Sequence, residues 1–171
     1  FSKELTYDGG SGFAGDRLLL VGNSFTAENH AFVSLNAGTI TLTGTPAVNY
    51  AQVERVTDLL NVGARQFTFT AAAETITLAE NGSLNTLQYD AGSGPSELVE
   101  FTIPATSLSL LASDGDDVID LVGIRPGLVA ALEVLGETGA DTINVPLTNP
   151  TPFIAPGSDV TLSAEAVNIL Q

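Results

Sequence analysis

The stretch LTYDGGSG at residues 5–12 returns as LQYDAGSG at residues 87–94, an offset of 82 in a chain of 171 residues. Nothing else in the chain constrains its fold as strongly, because self-similarity at a fixed period is the mark of arrays in which each unit packs on the next. The echo continues at an offset of 79, where Ile40-Thr41-Leu42-Thr43-Gly44 returns as Ile119-Asp120-Leu121-Val122-Gly123, and Val53 and Val56 return as Leu132 and Leu135. Ile76-Thr77-Leu78 returns as Val160-Thr161-Leu162 at 84, and Leu87-Gln88 as Leu170-Gln171 at 83. Small loop insertions give a tandem duplication this drift. The expected organisation is two repeat units, residues 1–86 and 87–171, within one continuous structural domain.

The local pattern is β. Short runs bounded by Gly, Asn, Asp or Pro cover residues 18–21, 39–43, 66–70, 74–78, 98–103, 107–111, 118–122, 132–135, 142–145 and 160–162. Period-two alternation within them reads as strand, with Ile40 and Leu42 inward and Thr39, Thr41 and Thr43 outward. The rhythm, roughly three strands in twenty residues, predicts an all-β right-handed parallel β-helix of about four coils per unit. A β-sandwich also fits short strands at such spacing. The segment 128–135 is compatible with a short helix by propensity, and residues 48–56 read as a loop leading into a strand.

Charge and composition exclude several functions. Twenty acidic residues against five basic ones leave a net charge of −15, and Lys3 is the only lysine. Phosphate contacts need clustered Lys and Arg, so nucleic acid is an improbable partner. The same charge repels anionic membrane surfaces. Apolar runs such as residues 18–21 are far short of the ~20 residues that span a bilayer. Without cysteine there is no disulfide, thiolate metal site or cysteine nucleophile. Methionine is also absent, so Phe1 is expected to follow a cleavage or to open a piece of something longer, with no signal peptide remaining.

One motif carries chemistry. Gly136-Glu137-Thr138-Gly139-Ala140-Asp141-Thr142-Ile143-Asn144 reads G-x-x-G-x-D-x-I-x, and residues 112–120 keep Gly115, Asp117 and Ile119 of the same pattern. Gly9-Gly10-Ser11-Gly12 reaches Asp16 and Leu18 after a two-residue insertion, while Ser96 and Arg65 stand where two further turns would have their aspartate. Glycines permit tight turns at positive φ, and aspartates with turn carbonyls offer the hard oxygens that Ca²⁺ requires. The turn glycines 94, 115 and 139 are spaced like successive coils. The simpler alternative is a set of β-arc turns in which each aspartate bonds its own backbone. The candidate calcium ligands are Asp114, Asp116, Asp117, Asp120 and Asp141, of which four crowd into seven residues and repel unless solvated or neutralised.

These turns resemble the GGxGxDxUx nonapeptide of repeat-in-toxin β-rolls. VEFTIPATSLSLLASDGDDVIDLVGI at residues 99–124, LEVLGETGADTINV at residues 132–145 and the Val48-Asn49-Tyr50 to Val53-Glu54-Arg55-Val56 segment together resemble the repeats of very large secreted bacterial exoproteins. The resemblance implies β-helical folding, an extracellular or cell-surface location and a structural role in an adhesin, sheath or filament. It implies no catalytic residues. The implied partners are like units stacked end to end, with surface glycans as a further class if calcium is bound.

A β-helical polysaccharide hydrolase or lyase is the rival class. Adjacent strand residues such as Asp116 and Asp117 point to opposite faces, a poor arrangement for acid–base partners. His30 reads as a loop residue in the other unit, and Lys3 is near the start of the chain. Ser24 and Ser163 lack a nucleophile-elbow context. Tyr7, Tyr50 and Tyr89 read as interior or turn-packing residues.

Overall fold

A computed structural model of the chain describes residues 3–11, 15–123, 131–146 and 159–170. Gly12, residues 128–130 of the helix-compatible segment, and Gln171 lie outside them. The described residues form sixteen strands: β1 (Leu5–Asp8), β2 (Arg17–Leu20), β3 (Ser24–Ser34), β4 (Ala37–Leu42), β5 (Val48–Ala51), β6 (Arg55–Asp58), β7 (Asn61–Thr68) and β8 (Thr75–Asn81), then β9 (Leu84–Asp90), β10 (Leu98–Phe101), β11 (Ser107–Leu111), β12 (Val118–Leu121), β13 (Ala131–Leu135), β14 (Thr142–Pro146), β15 (Val160–Ser163) and β16 (Ala166–Leu170). Each of the ten runs expected from the alternation overlaps a strand, several of them running one or two residues past its end. The helix-compatible segment enters the described residues as strand β13, with Leu132 and Val134 buried between less buried neighbours.

The strands make two eight-stranded mixed sheets. Sheet I is ordered β1-β5-β4-β3-β7-β11-β13-β15, and sheet II β16-β14-β12-β8-β9-β10-β6-β2. Ten pairings are parallel and four antiparallel. The antiparallel ones belong to the β3–β4–β5 meander in sheet I and the β8–β9–β10 meander in sheet II. Each meander reverses twice, so the strands on either side of it run in the same direction.

The stacking step differs from the sequence echo. Ala64, Ser107 and Ala131 lie in register across β7, β11 and β13, and Thr75, Val118, Thr142 and Ala166 across β8, β12, β14 and β16. In these two columns the step is 43 residues where a meander intervenes and 24 where none does; elsewhere it is 37 for β3–β7, 38 for β2–β6 and 28 for β13–β15. Two strands, one per sheet, make each 24-residue step, fewer than the expected three in twenty. Echoing residues do not stack: Ile40 lies in sheet I and Ile119 in sheet II, whereas Leu78 lies in sheet II and Leu162 in sheet I.

One core is shared by both sheets. Ile40, Phe67, Leu110 and Val134 face inward from sheet I, and Ile76, Val99, Ile119 and Ile143 from sheet II. Aromatic packing joins the sheets where Phe67 meets Phe101 with ring centroids 5.0 Å apart, a separation at which such pairs contribute beyond their buried area. Tyr50 and Tyr89 are buried, and Tyr7 pairs in register with Tyr50, as an interior assignment requires.

Candidate functional site

Every strand of sheet II except β9 is preceded directly by an acid: Asp16, Glu54, Glu74, Glu97, Asp117, Asp141 and Glu165. The second residue of each of these strands is aliphatic, so the seven share one short pattern, acid-x-aliphatic. In the upper part of the sheet the acids stack. The Glu74 backbone N–H donates to Asp117 Oδ1 at 2.8 Å, the Asp117 N–H to Asp141 Oδ1 at 2.9 Å, and the Asp141 N–H to Glu165 Oε2 at 2.9 Å. At the other end of the sheet the Asp16 N–H donates to Glu54 Oε2 at 2.8 Å in the same sense. The result is a polar ladder in two stretches, in which the carboxylates of Glu54, Asp117, Asp141 and Glu165 are each held by the amide of the acid on the neighbouring rung; between the stretches Glu74 accepts from the Thr70 hydroxyl and Glu97 from Tyr50 and Asn36.

Glycine makes the stacking possible. Ser113 and Glu137 adopt left-handed φ of 75° and 70°, and Gly115 and Gly139 follow at 127° and 152°. A Cβ on Gly139 would lie 1.7 Å from the Gly115 carbonyl oxygen. The turns are then tied together by the Gly115 N–H to the Thr138 carbonyl at 2.9 Å and the Thr138 N–H to the Ser113 carbonyl at 3.1 Å.

Of the five acids singled out by sequence, the structure brings together Asp117 and Asp141, both buried on successive rungs. Asp116 is exposed and accepts from the Ala140 N–H at 2.9 Å; Asp114 is exposed and bridges to Thr138. Asp120 lies on β12, where it accepts from Asn144 Nδ2 at 2.8 Å. Among the described residues no three acidic or imidazole side chains converge as a metal-holding group. The fit to calcium rests on Asp117 Oδ2 and Asp141 Oδ2, hard oxygens that are buried without a hydrogen-bond partner. Burial, moderated by the Glu74 amide and reinforced by the charges of Asp141 and Asp116, pushes Asp117 up to about 6. Burial also raises Glu74. Glu165 is exposed; the Asp141 amide and then its own hold it below the usual range.

The other turns depart from the motif. Gly115 packs over the Ala72 carbonyl rather than over Gly94, so the interval from 94 to 115 is not one rung. Ser96 is not an aspartate substitute, because the acid of that turn is Glu97, one residue later. The Ser96 hydroxyl accepts from the Tyr89 N–H at 3.0 Å. Arg65 is not in a turn at all.

Arg65 points into the core from β7. Its Nη1 donates to Glu28 Oε1 at 2.8 Å and to Asp58 Oδ2 at 2.6 Å, and all three side chains are fully buried. Its guanidinium carbon lies 5.4 Å from the Phe101 ring centroid. Burial pushes Glu28 up to about 9 against the opposing pull of Arg65. Burial acts on Asp58 in the same way, but Arg65 and hydrogen bonds from Glu28, Arg65 and the Leu60 amide outweigh it and hold Asp58 low. The cluster thus balances one cation with one anion and a protonated Glu28.

His30 is a core residue of β3 rather than a loop residue. It stacks on Phe32 with centroids 4.7 Å apart, and its Nε2 lies 2.6 Å from the Tyr50 hydroxyl. That hydroxyl donates to Glu97, whose second oxygen accepts from the Asn36 N–H at 3.0 Å. The Tyr50 oxygen therefore accepts from His30 Nε2–H, which fixes a neutral tautomer, and burial lowers His30 to about 3. Burial, with the charge of Glu97, raises Tyr50, and burial raises Glu97. These groups are locked in a network within the core, and Asp116 lies outside it on the surface.

No family model, curated protein or solved structure matches this chain.

Proposed function

We propose that this chain is a non-catalytic structural module, a right-handed parallel β-helix of an exported cell-surface adhesin, sheath or filament that stacks end to end with like units. The observation that carries this reading is the pair of sheet ends left open among the described residues. β1 and β2 terminate sheets I and II on one side, and β15 and β16 terminate them on the other. Apolar residues stand exposed there, with Leu5 and Leu19 at the first end and Val160, Val167 and Ile169 at the second. Unpaired parallel edges with apolar interiors template further strands. The excess of parallel over antiparallel pairings supports a helix over an antiparallel sandwich, and the exoprotein-like repeats and acidic surface support export. Sedimentation velocity across a concentration series tests this. Mass should grow without reaching a plateau, and a monomer at every concentration overturns the reading.

A calcium-dependent surface or glycan binder is the second reading, favoured by the buried unpartnered oxygens of Asp117 and Asp141. Those two residues would hold the ion, whose charge would neutralise their mutual repulsion. Affinity should fall in the extracellular range of about 10⁻⁴–10⁻³ M. A melting temperature that calcium raises over chelator in the native chain, but not in Asp117→Ala, supports it. Equal responses in both leave the turns as purely structural.

A further inference from the structure

We infer that the joint between units is heterologous and fixed in register. β16 of one copy pairs parallel with β2 of the next, and β15 with β1, so that the carboxylate ladder runs on from the Glu165 amide to the Asp16 carboxylate. This rests on the end-stacking reading above and adds its polarity and its residues.

The ladder supplies the polarity. Within the chain the amides of Asp16, Glu74, Asp117 and Asp141 each donate to the carboxylate of the acid on the β16 side, while the Glu54 amide turns to the Asp16 backbone carbonyl at 3.2 Å. Among the described residues Glu165 ends the ladder, its amide turned to its own carboxylate. At the opposite end Asp16 has a carboxylate to which no described backbone amide donates, although its own N–H is used by Glu54. One end is a donor and the other an acceptor. Joining like ends would set amide against amide or acid against acid, whereas joining unlike ends repeats the step already made within the chain.

Strand direction agrees. The β8–β9–β10 meander reverses twice, so β2 and β16 run the same way, and the β3–β4–β5 meander does the same for β1 and β15. Unlike ends thus meet as parallel pairs, the kind that dominates inside the molecule. The register follows from a rule obeyed by the parallel steps of sheet II, in which the residue after each acid pairs with the residue after the next: Arg17 with Arg55, Arg55 with Leu98, Val118 with Thr142 and Thr142 with Ala166. Continued across the joint, it pairs Ala166 with Arg17, Val167 with Leu18 and Asn168 with Leu19. Val167 and Ile169, which follow Ile143 and Val145 in register, then cover Leu18 and Leu20. Leu20 lines an open apolar groove of about 350 Å³ at that end, and Ile169 is 63% exposed at the other.

Single cysteines test the joint cleanly because the chain has none. Asn168 and Leu19 are both exposed. Across the proposed joint they are neighbours on strands about 4.8 Å apart, within reach of a disulfide. Asn168→Cys and Leu19→Cys proteins, mixed at a concentration where the native chain associates and then oxidised, should give a cross-linked heterodimer as the main product. Moving the first cysteine to Ala166 should abolish it. Homodimers from either variant alone would show a like-end joint. Association without the 168–19 cross-link would show another register. Either overturns the inference while leaving end stacking intact. A native chain that stays monomeric overturns both.

Discussion

Replacing Arg65 with leucine should be among the most damaging single changes in this protein, and replacing the whole ionic cluster should not be. The inward column through this point runs Leu42, Glu28, Arg65, Leu108 and Leu132 across β4, β3, β7, β11 and β13, so leucine suits the packing. Removing the cation leaves Asp58 buried and uncompensated, which costs about 3–5 kcal/mol. For a chain of this length, 1 kcal/mol shifts the melting temperature by roughly 2–4 °C, so Arg65→Leu should lower it by roughly 6–20 °C. In the triple variant Glu28→Leu, Arg65→Leu, Asp58→Asn, no charge remains in the cluster, and the side-chain carbonyl that Asp58→Asn introduces can still accept from the Leu60 N–H, which Asp58 holds at 2.8 Å. Replacing a whole buried cluster is commonly neutral or stabilising by about 1–4 kcal/mol. Far-UV circular dichroism melts of the native, single and triple proteins separate the cases. A single variant as stable as the native protein, or a triple variant no better than the single, would refute the reasoning.

Gly139→Ala should destabilise by roughly 3 kcal/mol or more, since its Cβ has no room over the Gly115 carbonyl and its φ is unsuited to a side chain; a urea unfolding curve measures this. The pH dependence follows from two buried groups. Glu28, raised from 4.5 to about 9, binds its proton more tightly when folded, so stability declines as pH rises through that window. His30, lowered from 6.5 to about 3, acts oppositely, and its contribution is lost as pH falls below 6.5. Between pH 6.5 and 9 only the Glu28 effect of the two operates. Melts should fall across that range, and Glu28→Gln should flatten the fall; an equally steep fall in the variant would point to another group. Disrupting the exposed ladder on β12, β14 and β16 with Asn144→Ala removes the hydrogen bonds to Asp120 and from Asn168 and should cost only about 1 kcal/mol, read by the same unfolding assay.

The sequence pattern disclosed strands wherever the inward residues were apolar, as in β4, β8 and β11. It concealed those whose inward positions are polar. Glu28 and His30 in β3, Asp58 in β6 and Asn85 in β9 are buried, and each interrupts the alternation by which a strand is recognised. Residues 48–56, read as a loop leading into a strand, do lead into β6 but open with β5, whose Val48 and Tyr50 are too few to establish a period. The half-length echo misled about stacking, because recurring short strand signatures fall on both sheets. The aspartate turns were legible at Asp117 and Asp141 because glycines mark them. Glu54, Glu74, Glu97 and Glu165 occupy the same position without a matching glycine pattern, and the signal that unites them is an acid two residues before an inward aliphatic. No local feature announces that Arg65 pairs with Glu28 and Asp58, because the register of β3 with β7 brings the first to it and the fold across the core brings the second.

Continuation of the two sheets from one unit to the next is the central claim, and the axial repeat of the assembled protein tests it most directly. Each sheet contributes eight strands, and neighbouring strands lie about 4.8 Å apart, so one unit should advance the stack by about 38 Å. Electron microscopy of the protein at associating concentrations should show unbranched filaments with that rise and one chain per step. Compact particles that never elongate, or filaments whose repeat holds two units facing in opposite directions, would contradict it.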